Sequence, residues 1–421
     1  MTWTIRGKEY DLDKFVNEHP GGDHTILMGK GRDCTELFES THRFSNRAKI
    51  DAILSKYYVR DSDTKNLLFD WQNNSFHNEL TQKAFQYFGE QKSRKADAWW
   101  WIKVTLMFMV WGWLLYNGLV QRAYGYIFLS GITWIMIGFC VMHDASHSAV
   151  SSSSRINWLM SFLWNSTSLW NPVAWNIHHV FGHHSHTGLT KKDPDLSYNI
   201  ILKRPDQHIR SFNSIYRFQQ YYVWPILTFL PNQFVSLIFQ YHFHKTIFGI
   251  KWYDLAKFAK YKIRFANILS LLLYIIVPWY FQQSISFVIL ANLVYFTALG
   301  TTFFTIVIPN HDSITVYENL ERFKLDHPHL LRDWSIQQIV STANFSNGQG
   351  LADRVVHQLF GGMNYQIEHH LFPTVSHIHY PALSVIVKEM CTKNNIPYVS
   401  KNNIFNCIYD YYQLMKYMSD K

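Results

Sequence analysis

Four long apolar segments constrain the fold of this chain more than any other feature of its sequence. A helix that spans a membrane needs about 20 largely apolar residues, and a lipid interior forces such a segment to satisfy its own backbone hydrogen bonds. The candidate spans are residues 99–120, 124–142, 265–281 and 286–308. Two further segments, 156–170 and 221–241, are apolar but interrupted, and we expect interfacial or re-entrant helices there.

The distribution of basic residues predicts the orientation in the membrane. The formal net charge of the 421 residues is +9, and the two short hairpin connections, 121–123 and 282–284, contain only Arg122. Because Lys and Arg accumulate on the cytosolic side of membrane proteins, the basic region 143–264 should be cytosolic, with both termini on the same side. The charge indicates a membrane surface rather than nucleic acid, since no Lys/Arg-rich run is present.

The N-terminus and the cysteines agree with a cytosolic location. The first residues lack the apolar core of a signal peptide. The four cysteines lie far apart and form no CxxC pair. We therefore expect neither a disulfide framework nor a zinc ribbon, and the pattern fits a reducing compartment.

Three groups of histidines, here called boxes, lie just outside apolar segments. The boxes are His143 and His147; His179, His183 and His184; and His369 and His370. Neutral imidazole is a good ligand for first-row metals such as iron, and seven imidazoles suggest two ions. Residues i and i+4 share a helix face, which would align His143 with His147. Adjacent histidines such as His183 and His184 do not share a face, so they serve different metals or lie on irregular backbone.

Residues 1–60 form a polar unit with a different histidine pair. The unit contains His19-Pro-Gly-Gly22, and His42 follows 23 residues after His19. Proline and glycine predict a tight turn that holds His19 at the mouth of a pocket. This unit resembles the cytochrome b5 domain, and the resemblance implies that His19 and His42 bind one haem b iron axially. Two axial imidazoles leave no open position on the iron, which suits one-electron transfer.

Nearly the whole chain resembles the membrane fatty-acid desaturases, and more narrowly the front-end desaturases with a fused cytochrome b5 domain. The supporting residues are Trp175, Asp193-Pro-Asp195 and Gly361-Gly-Met-Asn364-Tyr-Gln366-Ile-Glu-His-His370-Leu-Phe-Pro373. Gln366 is the sharpest marker, because other membrane desaturases have a histidine at this point. The resemblance implies that the seven histidines of the boxes hold two non-haem iron ions. It also implies that Gln366 is a ligand or contacts one, and that His311 completes the site.

The resemblance implies a multidomain fold class. A small α+β haem domain (1–60) and a linker with an amphipathic helix (61–97) precede an all-α membrane desaturase domain (98–421) with about four transmembrane helices and a cytosolic cap. The implied activity is O2-dependent desaturation of a long-chain polyunsaturated acyl chain on CoA or phospholipid, of delta-4, delta-5 or delta-6 type. The implied partners are the bilayer, the acyl substrate and a cytochrome b5 reductase that uses NADH. The expected location is the endoplasmic reticulum membrane, with haem domain and boxes facing the cytosol.

Three alternatives stay open on the sequence alone. A sphingolipid long-chain-base desaturase shares the fused haem domain and the glutamine of the third box. A lipid hydroxylase could use the same iron scaffold, and a membrane electron carrier would need only His19, His42 and one span.

One departure from the family pattern is His186, which stands where relatives usually have an aromatic residue. The histidines without a predicted ligand role are His24, His178, His186, His357, His377 and His379.

Overall fold

The chain folds into a small N-terminal unit and a predominantly helical remainder. The computed structural model describes residues 1–63, 67–71, 73–89, 93–189, 192–197, 214–229, 246–247, 250–251, 265, 268–346, 348 and 350–419. The predicted fold class, a small α+β unit before a helical membrane domain, is confirmed.

The N-terminal unit, residues 1–63, is a three-stranded antiparallel sheet covered by short helices. The strands Trp3–Ile5, Lys8–Tyr10 and Tyr58–Asp61 pair in that order. The helices are the 3-10 helix Val16–Glu18 and the α-helices Asp23–Leu27, Thr35–Thr41 and Arg47–Lys56. Arg6 and Gly7, at φ 51° and 70°, form the turn between the first two strands. Two left-handed residues in succession suit a two-residue hairpin, because their twist matches that of the strands.

Three helical segments are long and apolar enough to cross a membrane. They are Ala98–Val120, Tyr124–Ser146 and Ile285–Asp326, of which Ile285–Val307 is the apolar part. They correspond to the predicted spans 99–120, 124–142 and 286–308. The fourth predicted span, 265–281, corresponds to a shorter apolar helix, Ile268–Gln282, and residues 266–267 before it lie outside the described part of the chain.

Small residues bring these helices together. A Cβ added at Gly131 would lie 2.5 Å from the carbonyl oxygen of Tyr295, and one added at Gly118 would lie 2.7 Å from the Ile127 side chain. Glycine therefore permits the close backbone approach by which helices associate in lipid. Large apolar side chains such as Met109 stay exposed on the outer surface, which fits a surface that faces lipid.

The remaining helices form the cap that carries the boxes. Its α-helices are Ser75–Phe88, Ser154–Ser166, Pro172–Trp175, His184–His186, Gln219–Phe229, Ile314–Asp326, Trp334–Val340, Gly350–Leu359, Gln366–Leu371, Tyr380–Lys393 and Ile404–Ser419. The 3-10 helices are Pro194–Ser197, Ser214–Phe218, Ile308–Asn310, Leu330–Arg332, Met363–Tyr365 and His377–His379. The π-helical turns are Gly138–His143, Asn176–His183 and Leu272–Ile276. Two strand pairs complete the description: Thr246–Ile247 with Ile250–Lys251, antiparallel, and Ala343–Asn344 with Val399–Ser400, parallel.

Each of the two interrupted apolar segments contains a helix in its described part. Segment 156–170 contains most of the helix Ser154–Ser166. Segment 221–241 begins within the helix Gln219–Phe229, and its residues 230–241 lie outside the described residues.

The helix Ser75–Phe88 follows the N-terminal unit and packs against the other helices of the cap. Apolar residues at positions i and i+4 share one helix face, and Leu80 and Ala84 are fully buried there. This face packs into a core that includes Ile339 and Leu383 of the cap. The predicted linker therefore contains an amphipathic helix that is part of the folded structure.

Candidate haem and metal sites

The two histidines of the N-terminal unit face each other across a gap. Their ring centroids lie 6.0 Å apart. Nδ1 of His19 lies 3.2 Å from the carbonyl oxygen of Gly22, and Nδ1 of His42 lies 2.8 Å from that of Phe38. When each Nδ1–H donates to its backbone carbonyl, each Nε2 keeps a free lone pair.

This pair fits axial ligation of a haem iron. Two metal–imidazole bonds of about 2 Å each, together with half the width of two rings, require a centroid separation of about 6 Å. Burial, with the neighbouring His42, lowers the pKa of His19 to about 4, and burial also lowers the pKa of His42. Both rings are therefore neutral near pH 7, as a metal ligand must be.

A π-helical turn separates the histidines of the second box. In an α-helix His179 would share a face with His183, four residues later. The turn Asn176–His183 is π-helical, with a repeat of i to i+5, and His179 instead lies with His184. The adjacent His183 and His184 consequently belong to different groups.

Five buried histidines from all three boxes meet in one group, here called site A. Its members are His143, His147, His179, His184 and His369. Their ligand nitrogens all lie within 4.8 Å of one another. Nε2 of His179 lies 3.0 Å from Nε2 of His143 and 3.2 Å from Nε2 of His184. Neighbouring ligands at right angles around an ion, with bonds of about 2.1 Å, are separated by about 3 Å, so the group fits one metal ion.

Three more histidines form a second group, site B, beside the first. Its members are His183, His311 and His370. Nε2 of Gln366 lies 3.3 Å from Nε2 of His311 and 3.5 Å from Nε2 of His370. Oε1 of Gln366 is buried and has no hydrogen-bond partner among the described residues, and a half rotation of the amide would turn this oxygen toward the same nitrogens. The rings of His184 and His370 lie 4.2 Å apart, so the two sites adjoin.

Polar side chains outside the two sites orient the rings. The Nδ1 contacts are His183 to Asp193 at 3.1 Å, His369 to the Tyr380 hydroxyl at 3.1 Å and His370 to Oε1 of Gln338 at 3.0 Å. Metal-binding histidines are commonly held in this way, because a partner on one nitrogen fixes the tautomer and directs the other nitrogen to the metal.

Burial and charge set the protonation of the rings. Burial lowers the pKa well below its usual value in His179, His184, His369 and His370. Burial also acts on His183, but Asp193 and Asp195 outweigh it and raise the pKa of that ring to about 9. A metal cation bound at Nε2 of His183 would take the place of the proton that Asp193 and Asp195 stabilise on that ring. The donor sets of both sites thus fit imidazole ligation of iron.

An apolar cavity opens onto both sites. The site residues on its wall include His143, His179, His183, His311 and Gln366. Its apolar wall includes Phe139, Leu227, Phe303, Phe304, Val307 and Met363. A concave, mainly apolar pocket with a few converging polar groups suits a hydrocarbon chain presented to a reactive centre.

The histidines without a predicted ligand role lie outside sites A and B. Nε2 of His178 lies 2.6 Å from Asp195, and Nδ1 of His377 lies 2.7 Å from Asp144. His186 contacts the carbonyl oxygen of Gly182 at 3.1 Å. Sequence reasoning gave no role to the ring-orienting residues Tyr380 and Gln338. Asp193 had a signal, since it belongs to the acidic Asp193-Pro-Asp195 run that follows the second box.

Comparison with curated proteins finds relatives along nearly the full chain. An Acyl-lipid (8-3)-desaturase of Mortierella alpina is 25% identical, covering 95% of this chain and 90% of the relative. A Probable Delta(5) fatty acid desaturase C of Dictyostelium discoideum is 24% identical, covering 94% and 86%. An sn-1 linoleoyl-lipid 6-desaturase of Synechocystis is 29% identical, covering 78% and 90%. No solved structure matches the chain.

Family models match both parts of the chain. The model for the cytochrome b5-like haem/steroid binding domain matches residues 2–63, the unit that carries the facing histidine pair. The fatty acid desaturase model matches residues 121–402, which include sites A and B. Since that match spans more than half of the chain, the protein belongs to the fatty acid desaturase family and carries an N-terminal cytochrome b5-like domain, as its sequence predicted.

Proposed function

We propose that this protein is an O2-dependent front-end desaturase of long-chain polyunsaturated acyl chains, of delta-4, delta-5 or delta-6 type. It inserts a double bond between an existing double bond and the carboxyl end of a chain carried on CoA or on a lipid. The observation that carries this proposal is the junction of sites A and B at the wall of an apolar cavity. The facing histidines of the N-terminal unit support it, because they fit a one-electron donor in the same chain.

In this proposal each site holds one iron ion. The site A ligands are His143, His147, His179, His184 and His369, and the site B ligands are His183, His311 and His370 with Gln366. His19 and His42 bind haem b. The donor chemistry and the spacing of the nitrogens support both assignments.

The reaction requires chemistry that side chains alone lack. An unactivated methylene has neither an acidic proton nor a leaving group, so general acids and bases do not cleave it. Iron supplies the reactivity toward O2 that removes hydrogen from such a carbon. In the overall balance the acyl chain would give two electrons and two protons, two more electrons would arrive one at a time through the haem that His19 and His42 would hold, solvent would give two protons, and O2 would be reduced to two water molecules.

The side chains of this protein position the substrate and keep water out. The cavity wall, including Phe139 and Phe303, holds the acyl chain beside the two sites. Its apolar lining excludes the bulk water that would compete with substrate near the irons. Asp193 accepts the Nδ1–H of His183 and so keeps Nε2 of that ring directed into site B.

The same arrangement places the hairpin connections and the first box at opposite ends of the spanning helices. Arg122 donates to the carbonyl oxygen of Gln282 at 3.2 Å, so the two hairpin connections lie together at one end of the helices. His143 lies at the opposite end of the helix Tyr124–Ser146. We assign that end to the cytosolic face of the endoplasmic reticulum membrane, where a cytochrome b5 reductase would pass electrons from NADH to the haem.

The names of the relatives support an acyl-lipid substrate, since the three relatives described above are named as acyl-lipid, linoleoyl-lipid or Delta(5) fatty acid desaturases. A sphingoid base and a hydroxylated lipid are the competing products. Both have masses and fragmentation patterns that differ from those of a desaturated acyl chain.

Product analysis in yeast that express the chain tests the proposal. C18, C20 and C22 polyunsaturated acids are fed, and acyl esters and sphingoid bases are analysed by mass spectrometry, with His370→Ala as the inactive control. A new double bond on the carboxyl side of a fed acid, absent from the control, is the expected result. A new bond in the sphingoid base alone, or oxygen retained in the product, would replace the proposal with the corresponding alternative.

A further inference from the structure

Two short segments lie side by side where the N-terminal unit meets the third box. Nη1 of Arg43 donates to the carbonyl oxygen of Leu371 at 2.7 Å. The ring of Phe44 stacks on that of Phe372, with centroids 6.0 Å apart and planes 30° apart. Arg43 directly follows the proposed haem ligand His42. Leu371 directly follows the proposed iron ligand His370.

Arg43 is deeply buried in this contact. Only 3% of the residue is exposed. Its Nε donates to Oγ1 of Thr81 at 2.7 Å, and its Nη2 donates to the carbonyl oxygen of His77 at 3.3 Å. The guanidinium carbon lies 4.6 Å from the centroid of the Phe372 ring. Among the described residues Arg43 forms no close ion pair with a carboxylate, so hydrogen bonds, an aromatic face and the more distant carboxylate of Asp333 hold the charge.

Taking a charge out of water costs free energy of desolvation, so the burial of Arg43 is weak evidence that this contact stabilises the fold. The planar guanidinium offers several donors in a fixed geometry. Here these donors contact both the helix Ser75–Phe88 and Leu371 beside the third box. The contact therefore specifies how the N-terminal unit sits on the cap.

We infer that Arg43 is a positioning residue for electron transfer, because it fixes the haem unit on the third box and completes a path of covalent bonds and one hydrogen bond from His42 to His370. The inference rests on the proposed function. In each transfer one ferrous haem is oxidised to ferric and one ferric ion of the di-iron centre is reduced to ferrous, with no atom exchanged. The reductase then reduces the haem again before the second transfer.

A second contact between the two units provides a matched control. The guanidinium carbon of Arg32 lies 5.1 Å from the centroid of the Phe181 ring, and Phe181 lies in the second box between His179 and His183. This contact joins the same two units through a ring face. If Arg43 provides the path, loss of Arg32 should have little effect on electron transfer.

The test measures haem oxidation in the purified full-length protein. The haem is reduced without oxygen, the protein is mixed with O2 and a polyunsaturated acyl substrate, and the haem absorbance is followed by stopped flow. Arg43→Met should slow haem oxidation by about tenfold or more, since small displacements of reacting groups have effects of that size. Arg43→Lys should restore part of the rate. Arg32→Met should stay within about twofold of the wild type, and the haem spectrum and potential should not change in any of the three variants.

Hydrogen exchange gives a readout that needs neither iron nor substrate. Arg43→Met should raise exchange in segments 40–46 and 370–375, while strand Lys8–Tyr10 stays as protected as in the wild type. If Arg43→Met loses its haem, Thr81→Val decides the question, since it leaves Arg43 in place and removes the hydroxyl that accepts from Nε of Arg43 and donates to the carbonyl oxygen of His77. Slower haem oxidation in Thr81→Val then supports the inference, and a wild-type rate overturns it.

The outcomes separate this inference from the proposed function. His370→Ala gives the background rate of haem oxidation without an intact third box. Wild-type protein that oxidises its haem no faster than His370→Ala contradicts the proposed function. A wild type that is faster than this background, together with haem-replete Arg43→Met at the wild-type rate, overturns the role of Arg43 alone.

Discussion

Histidines in and just after the second box differ in their surroundings although they lie close in sequence. His184 belongs to site A, whereas His186, two residues later, contacts a backbone carbonyl outside both sites. His184→Ala should therefore lose non-haem iron and product, because it removes an imidazole at the junction of the two sites. His186→Ala should keep both. Iron per protein, measured by plasma mass spectrometry alongside the haem spectrum, checks this, and equal iron loss in both variants would contradict the assignment.

A buried carboxyl group in the N-terminal unit predicts a dependence of stability on pH. Burial, with nearby Asp33, raises the pKa of Glu36 from 4.5 to about 7. The folded state then holds a proton that the unfolded state releases, so stability falls as pH rises from about 4.5 to about 7 and stays lower above that. Glu36→Gln should remove this loss and stabilise the unit at pH 8 by about 3 kcal/mol.

Thermal release of haem, followed by absorbance from pH 5 to pH 8, measures the effect of Glu36→Gln. The exposed Glu18 in the same unit provides the control. Glu18→Gln should keep the pH profile of the wild type. A Glu36→Gln profile that still falls between pH 5 and pH 7 as the wild type does would rule out Glu36 as the cause.

At the scale of helices, the contact between two spanning segments depends on the absence of a side chain. Gly131→Ala would place a Cβ 2.5 Å from the backbone oxygen of Tyr295, so the helices must separate. Overpacking of this kind costs about 1–3 kcal/mol. Gly112→Ala, in the helix Ala98–Val120, meets nothing within 4 Å and should be neutral. The thermal midpoint of the detergent-solubilised protein tests both, and equal midpoints would show that the helices accommodate the methyl group.

Helix positions were largely predictable from the sequence, and their irregular turns were not. Hydropathy located the spans because lipid requires long apolar helices. The i, i+4 rule brought His143 and His147 together, and both lie in site A. The same rule would pair His179 with His183, but the π-helical turn pairs His179 with His184. Hydrophobic periodicity does not reveal a local change of helical repeat, so this part of the site required the structure.

At the scale of the whole molecule, we predict that the protein forms product only when its own N-terminal unit holds haem. His19→Ala should abolish haem binding, because one of the two facing rings is lost, and should abolish turnover while sparing membrane insertion. His24→Ala, at a neighbouring histidine without a predicted ligand role, should keep haem and product. The measurements are the haem spectrum, membrane fractionation and product yield in cells without a separate cytochrome b5. Full product yield from His19→Ala in those cells would contradict the relay role.

Contacts between the two units were the least predictable part of the molecule. The sequence indicated a haem unit, a linker and a membrane domain from local motifs. It gave no sign that Arg43 reaches the carbonyl oxygen of Leu371, because the two residues are separated by 328 positions. Gln366 was placed beside the boxes by resemblance, but its position between His311 and His370 follows from tertiary packing.

Val180 and Phe181 of the second box lie in the hydrophobic core of the N-terminal unit, together with Trp3 and Leu37. The N-terminal unit is therefore seated on the second box, and under the proposed function the effective concentration of the electron donor at its acceptor would be set by the fold rather than by diffusion. Diluting the protein in the bilayer, or depleting the cell of a separate carrier, should leave the internal transfer unchanged. Only the encounter with the reductase would then respond to the crowding and composition of the membrane.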